Sequence, residues 1–257
     1  MEILCPVCGK PLKRNEKIWK CVNGHSFDEA REGYLNLNLH NSQSSGDNPE
    51  MIRARQRFLG KGYYAFLKEE VNSLLQETDS LVDLACGEGY YTSQFRCRDK
   101  VGIDLSKTGL KIASKRDKNT IYLLNSIFRN PLKEECADKV CTIFAPIAAG
   151  EIFRILKKGG EFILVRPDRY HLFELKEKIY TNPYLNETEE PDLAGLQLIR
   201  QIPIEQEAIL PKEDIRDLFL MTPYANTTSR EDKEKLDHLD QLEIRFCFLI
   251  DIYQKAD

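Results

Sequence analysis

The spacing of apolar residues changes character near residue 81. Upstream, EMIRARQRFL and YYAFLKEEVNSLLQ place apolar residues at helical intervals and predict two helices. Downstream, short apolar runs that predict strands alternate with amphipathic stretches. The predicted strands are LVDLA, KVGIDL, TIYLLN, KVCTIF and EFILVR, and the helical stretches between them are YYTSQFRC, TGLKIASKR and AAGEIFRILKK. Strands that alternate with helices indicate parallel βαβ units and a doubly wound α/β sheet.

The last third of the chain continues this sheet differently. A helical stretch at 170–180 leads into an acidic, proline-containing excursion at 182–193. Two long β-prone runs follow, LQLIRQIPIEQEAI and LEIRFCFLIDIY, around helical segments near 212–221 and 229–238. We expect the two runs to pair as an antiparallel hairpin at the sheet edge. The predicted fold class is therefore α/β, with a seven-stranded, mostly parallel sheet of the Rossmann-like kind.

Local composition divides the chain into three parts. A module rich in Cys and Lys is predicted at 1–38, and a polar linker that includes NSQSSGDN is predicted at 39–48. The α/β domain is predicted at 49–257. It should begin with a helix, because Asn48 is a suitable N-cap and Pro49 suits the first helical turn.

Composition and charge exclude several classes of protein. The 257 residues are 42% hydrophobic, and no apolar run approaches the ~20 residues that span a bilayer, so we expect no membrane association. No basic and apolar leader opens the sequence, which predicts a cytoplasmic protein. Eight cysteines in such a chain favour free or metal-bound thiols over disulfides. The net charge of −4 argues against a wholly basic surface but allows a local basic patch.

Three cysteines and a histidine near the start have the spacing of a zinc site. Cys5, Cys8, Cys21 and His25 form C-x2-C-x12-C-x3-H, with glycines that allow tight turns. Two short pairs can close a tetrahedral shell around Zn²⁺, so the site is expected to be structural, with no open position for an activated water. A module this small also needs metal binding to supply folding free energy. The alternative is that these cysteines are incidental.

The same segment is basic. Residues 1–25 contain five Lys or Arg and two Glu, a charge of 5 − 2 = +3. Basic groups beside Trp19, the one tryptophan of the chain, suit contacts with RNA phosphates and bases. Two roles for Trp19 remain open, a base-stacking ring or a ring packed on the zinc site.

A glycine-containing turn follows the first strand of the α/β domain. In LVDLACGEGYYT, Asp83, Gly87 and Gly89 lie between a strand and a helical pattern, and Asp104 ends the next strand. Such glycines let the backbone approach a ligand, and an acidic residue about 20 positions on can accept hydrogen bonds from a ribose. Ala85 at the first glycine position argues against a dinucleotide fingerprint. The motif resembles motif I of class I S-adenosylmethionine (SAM) methyltransferases; the alternative is a glycine turn without a ligand.

Nearly the whole chain resembles one family, the bacterial 23S rRNA (guanine-N1)-methyltransferases. The resemblance rests on CPVC with the following C and H, FDEAREGYLNLN, GDNPEMIRARQRFL, DLACGEGYYT, VGIDLSK, APIAAGEIFRILKKGG, DRYHLFELK and MTPYA. It implies a zinc module joined to a SAM-dependent domain that methylates N1 of a guanine in a hairpin loop of domain II of 23S rRNA. It also implies a homodimer and, for some members, resistance to tylosin-type macrolides.

The resemblance further implies which side chains contact SAM. The family positions are Tyr64, Tyr91, Thr92 and His171, and the general methyltransferase layout adds Asp83, Gly87 and Asp104. Core packing is the alternative role for Tyr64 and His171. MTPYANTT carries Asn226 where family members often have Trp, so the choice of substrate can differ.

Methylation at guanine N1 requires a proton acceptor, because N1 keeps its proton at neutral pH. The loop FAPIAAG occupies the substrate-facing position of this fold and contains no acid. Asp168 of RPDRYH is the candidate base, and a cap of the helix at 170–180 is its alternative role. Two other functions remain open: a methyltransferase of a small molecule, and a non-catalytic zinc-dependent RNA-binding protein.

Overall fold

In the computed structural model, which describes residues 1–39 and 49–256, the chain begins with a small antiparallel sheet. Its strands are β1 (Lys13–Asn15), β2 (Ile18–Lys20) and β3 (Ser26–Asp28). Trp19, at the centre of β2, lies opposite Arg14 on one side and Phe27 on the other. The predicted linker, apart from Leu39, and the predicted N-cap Asn48 lie outside the described residues.

The central sheet contains eight strands of the described residues. They are β4 (Leu35–Asn36), β5 (Ser80–Leu84), β6 (Asp99–Asp104), β7 (Ile121–Leu124), β8 (Ala137–Ile143), β9 (Leu156–Pro167), β10 (Leu196–Pro211) and β11 (Gln241–Lys255). Their order across the sheet is β10-β11-β9-β8-β5-β6-β7-β4. The strands from β9 to β4 are parallel, whereas β11 is antiparallel to both of its neighbours. All seven predicted strands and the predicted terminal hairpin are confirmed.

The eighth strand, β4, is not predicted by the hydrophobic pattern. It lies in the segment assigned to the N-terminal module and pairs in parallel with β7, Leu35 beside Leu123. The Leu37 N–H donates to the Leu124 carbonyl at 3.1 Å, and the Asn125 side-chain amide donates to the Leu37 carbonyl at 3.1 Å. These contacts attach the metal-binding segment to one edge of the sheet.

Helices cover both faces of the sheet. They are α1 (Pro49–Gly60), α2 (Ala65–Ser73), α3 (Lys107–Arg116), α4 (Ala149–Ile155), α5 (Phe173–Ile179), α6 (Lys212–Leu220), α7 (Tyr224–Thr227) and α8 (Arg230–Glu234), with short 3₁₀ turns at Thr92–Gln94, Ile127–Arg129 and Lys235–His238. Neighbouring residues of a central strand enter different apolar clusters, as Leu81 and Val82 of β5 do. This alternation is what a sheet buried on both faces requires.

Two helix predictions are wrong in extent. YYTSQFRC forms only the 3₁₀ turn Thr92–Gln94, because the chain becomes extended at Phe95 and the buried Lys100 ammonium donates to the carbonyls of Thr92 and Phe95 at 3.0 and 3.1 Å. AAGEIFRILKK is helical only as far as Ile155, because Leu156 pairs with Ala137 and begins β9.

The N-terminal segment shares its apolar core with the α/β sheet. Ile3 forms an isolated antiparallel bridge with Leu132, and the Leu4 N–H donates to the Pro131 carbonyl at 2.6 Å. Trp19 belongs to the same buried cluster as Ile3 and Leu132. No helix within residues 1–39 and 49–256 combines the length and apolarity that crossing a bilayer requires.

Candidate functional site

A cavity of about 890 Å³ opens at the carboxyl ends of the parallel strands. Its lining includes the residues that end β5, β6, β8 and β9, residues of α1, and residues of the MTPYAN segment at 221–226. The chain leaves β5 toward β6 on one side and returns through β8 on the other, so the cavity lies at the point where the strand order reverses. Open α/β sheets bind ligands at such a point.

The turn after β5 approaches α3 without intervening side chains. Gly87 and Gly89 have φ of 55° and 72°, in the left-handed region that suits glycine. A Cβ on Gly89 would lie 2.8 Å from the Cβ of Ala113, and a Cβ on Gly109 would lie 2.8 Å from the Gly87 carbonyl oxygen. Glycines at these positions therefore allow α3 to pack against the turn while the turn lines the cavity.

Ala85 starts this turn with a φ of 64°. A left-handed conformation costs a residue with a Cβ roughly 1–2 kcal/mol, which explains why glycine is common at this place in motif I. The Ala85 N–H donates to the Ile103 carbonyl at 2.8 Å, which joins the turn to β6.

Asp104 fixes the turn from the end of β6. Its Oδ2 accepts from the Gly87 N–H at 2.8 Å, and its Oδ1 accepts from the Ser106 N–H at 2.6 Å. Asp104 also lines the cavity. Asp104 is therefore placed where it can meet the hydroxyl groups of a ribose, as the sequence predicts, while it holds the glycine turn in position.

Asp83 and Thr92 form a buried pair beneath the cavity. The Thr92 hydroxyl donates to Asp83 Oδ2 at 2.5 Å. Thr92 is 0% exposed and Asp83 is 3% exposed. Burial raises the pKa of Asp83 to about 7, and the nearby Asp104 adds to this effect while the Thr92 hydroxyl opposes it. Asp83 lines the cavity but Thr92 does not. Thr92 thus acts on the cavity through Asp83.

The three predicted aromatic cofactor contacts all line the cavity. They are Tyr64, Tyr91 and His171. The Cys247 N–H donates to His171 Nδ1 at 3.2 Å, and burial lowers the pKa of His171 to about 3, so its ring is neutral with Nε2 as the donor. The Tyr91 hydroxyl is buried without a hydrogen-bond partner among the described residues. Such a hydroxyl can donate to a polar group of a bound ligand.

Asp168, the candidate base, is not part of the cavity lining. Its Oδ1 accepts from the Arg169 N–H at 2.6 Å, and its carbonyl accepts from the His171 N–H at 3.0 Å. The Asp168 carbonyl therefore closes the turn before α5. The carboxylate does not cap the helix, because the N-cap position of α5 is Leu172 and no side chain caps it.

Glu189 is the acidic residue that sequence reasoning missed. The cavity lining includes four acids: Asp83, Glu88, Asp104 and Glu189. Asp83 belongs to β5, Glu88 to the glycine turn and Asp104 to β6, whereas Glu189 comes from the excursion at 182–193. The Arg166 guanidinium donates to Asp251 at 2.6 Å and to the Thr188 carbonyl at 2.9 Å, which holds the excursion against the cavity. The acidic composition of the excursion was its only local signal.

The four predicted metal ligands are brought together. The ligand atoms of Cys5, Cys8, Cys21 and His25 all lie within 4.8 Å of one another. The Cys8 and Cys21 sulfurs are 3.7 Å apart, and His25 Nδ1 lies 3.4 Å from Cys21 Sγ. Tetrahedral bonds to Zn²⁺ separate ligand atoms by roughly 3.5–3.8 Å. The backbone N–H of Lys10 lowers the pKa of Cys8, which favours the thiolate that binds metal. Donor set and spacing fit one structural zinc ion.

Basic side chains cover the surface of this module, and Trp19 is in its core. Lys10, Lys13, Arg14, Lys17 and Lys20 are all exposed. Trp19 is only 6% exposed, and its Nε1–H donates to Glu29 at 2.9 Å. The structure thus favours core packing over base stacking for Trp19, and it leaves the basic side chains accessible.

Two family models match the chain. The zinc-ribbon family described as "RlmA, N-terminal" matches residues 3–40, and a family described as "Methyltransferase domain" matches residues 82–164. These matches cover the metal site and the strands that carry the glycine turn. Together with the fit of the donor set and of the cavity, they assign structural zinc and SAM to the two sites.

Curated relatives extend the similarity. The 23S rRNA (guanine(748)-N(1))-methyltransferase of Streptomyces fradiae is 30% identical over 186 residues, 68% of this chain and 66% of that protein. A Bacillus subtilis (strain 168) protein assigned as a 23S rRNA (guanine-N(1)-)-methyltransferase is 28% identical over 261 residues, 93% of this chain and 92% of that protein. A Micromonospora griseorubida protein with the same assignment is 30% identical over 202 residues, 68% of each chain.

Solved structures support the fold. A methyltransferase from a complex with the Haloferax volcanii Trm112 activator aligns with a TM-score of 0.50 at 18% identity, covering 83% of this chain and 100% of that one. At this level of identity the similarity extends to the fold alone.

Proposed function

The chain belongs to the 23S rRNA (guanine-N1)-methyltransferase family, and on that premise we propose that it methylates N1 of a guanine in a hairpin loop of domain II of 23S rRNA. The observation that supports an RNA substrate best is the zinc ribbon, which shares its core with the methyltransferase sheet and exposes five basic side chains. We further propose a cytoplasmic homodimer.

The cavity residues divide between cofactor and substrate. When bound, SAM supplies an electrophilic methyl group on a sulfonium. Asp104 would accept hydrogen bonds from its ribose, and the backbone of the turn at Gly87 would approach it closely. The acidic residues of the glycine turn, β5 and β6 that line the cavity favour a cationic ligand electrostatically. Tyr64, Tyr91 and His171 would complete the binding surface, the last as a neutral donor through Nε2.

The substrate guanine must reach the methyl group from the other side of the cavity. A loop base costs less to unstack than a paired one, which suits a hairpin-loop target. Positioning of N1 along the line of transfer supplies most of the rate increase. The proton on N1 must leave during transfer. Glu189 lines the cavity and comes from the excursion at 182–193 rather than from β5, β6 or the glycine turn; it is our candidate acceptor, with Asp168 kept as the sequence-based alternative.

Methyl transfer to rRNA in vitro tests this function. Purified protein, labelled SAM and unmodified 23S rRNA transcript should give labelled RNA. A methyl group on N1 blocks the Watson–Crick edge, so reverse transcription should stop one nucleotide before the target guanine. Labelling of a metabolite extract but not of RNA would favour a small-molecule methyltransferase. RNA binding without any transfer would favour a non-catalytic protein.

A further inference from the structure

Phe144 is one of three non-glycine residues of the cavity wall with a left-handed backbone, together with Ala85 and Leu172. It follows β8 directly, at the start of the FAPIAAG loop, and its φ is 54°. A bulky residue in the left-handed region is a real outlier, and such strain persists where the surrounding structure enforces it, often at functional sites. One hydrogen bond joins this residue to the neighbouring strand: the Phe144 N–H donates to the Val165 carbonyl at 3.1 Å. Pro146 disfavours a helical conformation at the intervening Ala145.

The strained backbone presents an aromatic ring to the cavity. Phe144 is 41% exposed, although its neighbours Tyr64, His171 and Phe248 are at most 7% exposed. A phenyl ring with ordinary backbone geometry at a strand end would be expected to join this cluster. The structure instead leaves the ring partly exposed at the surface of the cavity, which is unfavourable for an apolar side chain.

The Phe144 ring packs against three buried rings. Its centroid lies 5.0 Å from that of Phe248 and 6.2 Å from that of Tyr64. Its plane lies within 12° of the plane of His171, with the centroids 6.5 Å apart. The exposed part of the ring is therefore held in one orientation, beside two of the residues predicted to contact SAM.

We propose that Phe144 is the stacking platform for the flipped guanine. This inference rests on the proposed function and adds a substrate-contacting residue to it. An RNA base that leaves its loop loses its stacking partners and regains one on an aromatic side chain. A planar base laid on Phe144 lies next to Tyr64 and His171, at the place where the methyl group is transferred. Stacking does not distinguish one base from another, so Phe144 positions the base and other groups select guanine.

Substitutions at Phe144 and at a matched control test the proposal. Phe144→Leu keeps the Cβ and the apolar bulk but removes the π face, whereas Phe144→Tyr keeps it. Phe153 is 40% exposed and lies outside the cavity lining, so Phe153→Leu is the control. The measurements are steady-state methyl transfer to 23S rRNA transcript and SAM affinity by calorimetry.

Phe144→Leu should raise the KM for RNA roughly 5- to 150-fold, the range that corresponds to one lost base-stacking contact. Its SAM affinity should stay within about two-fold, and Phe144→Tyr and Phe153→Leu should resemble the wild type. An unchanged KM, or a loss of SAM affinity as large as the rise in KM, would overturn the proposal and leave the proposed function intact. Absence of transfer by the wild-type protein would overturn the proposed function, and this inference with it.

Discussion

The Thr92 hydroxyl donates to the Asp83 carboxylate at 2.5 Å, and both residues are buried. The family resemblance predicts Thr92 as a cofactor contact and the general methyltransferase layout predicts Asp83, yet only Asp83 lines the cavity. The GEGYYT motif therefore contributes in two ways. Its glycines shape the turn, and its threonine donates a hydrogen bond to Asp83, an acid whose charged form is disfavoured by burial.

Removal of the Thr92 hydroxyl should be costly. Thr92→Val leaves a buried carboxylate without its donor and should lower the free energy of unfolding by about 1–3 kcal/mol. Thr142 is a matched control, because it is equally buried and its hydroxyl has no hydrogen-bond partner among the described residues. Thr142→Val should be neutral or stabilising. Urea unfolding of the two variants would measure this, and equal effects would refute the role given to Thr92.

Asp83 should make stability depend on pH. Its pKa rises from 3.8 to about 7 on folding, so between these values the folded state binds more protons than the unfolded state. The contribution of Asp83 is fully present below pH 3.8 and is lost as pH rises toward 7. At about 1.4 kcal/mol per pKa unit, this loss is at most about 4 kcal/mol.

Asp83→Asn removes that proton equilibrium. Without SAM, the variant should therefore gain stability relative to the wild type as pH increases from 4 to 7. The difference between the two unfolding free energies isolates this effect, because other titrating groups are common to both proteins. A difference that is constant over this pH range would contradict the raised pKa.

The packing of α3 against the glycine turn predicts opposite effects for two helical glycines. A Cβ on Gly109 would meet the Gly87 carbonyl at 2.8 Å, whereas one on Gly150 of α4 would meet nothing within 4 Å. Gly109→Ala should displace the turn and weaken SAM binding at least ten-fold. Gly150→Ala should leave SAM binding unchanged and should stabilise α4 by about 0.5–1 kcal/mol. Calorimetric titration with SAM and thermal melts of both variants would check this; similar SAM affinities would argue against close packing at Gly87.

The zinc ribbon should matter more for RNA than for SAM. Cys21→Ser removes one of four ligands, so bound zinc should fall below one ion per chain and the basic surface should lose its shape. RNA affinity should drop about ten-fold or more, and SAM affinity should change by less than about three-fold. Cys136→Ser, at a half-buried thiol outside the cluster, is the control. Metal analysis with the two binding measurements tests this, and equal loss of both affinities would contradict the division of roles.

Two carboxylates compete for the role of proton acceptor. Glu189 lines the cavity and Asp168 does not, so Glu189→Gln should lower kcat by about 100-fold or more, the range for loss of general base catalysis. Asp168→Asn should change kcat only a few-fold. Single-turnover methyl transfer by the two variants separates the two roles, because it measures the transfer step itself. The reverse order of effects would return the role to Asp168.

Much of this molecule follows from local sequence. The strands of the α/β sheet appear as short apolar runs, and the zinc ligands appear as two short pairs, because both depend on residues close in the chain. The two-residue strand β4 has no periodicity to reveal it, and its pairing with β7 is a tertiary event. The extent of the YYTSQFRC helix is likewise limited by a distant residue, Lys100.

The site shows the same division. The glycine turn and Asp104 are recognisable from their order along the chain. The position of Glu189 depends on the Arg166–Asp251 pair, which joins β9 to β11, and no local pattern encodes it. The left-handed conformation of Phe144 is equally hidden, because the residue type argues against it.

The central claim, methylation of 23S rRNA at N1 of a guanine, is tested most directly by mass spectrometry of the rRNA from a strain that lacks this chain and from the complemented strain. The account predicts that one guanine in a domain II hairpin loop carries an added methyl group on N1 in the parent and complemented strains and is unmodified in the deletion strain. Identical methylation of 23S rRNA in all three strains would contradict it.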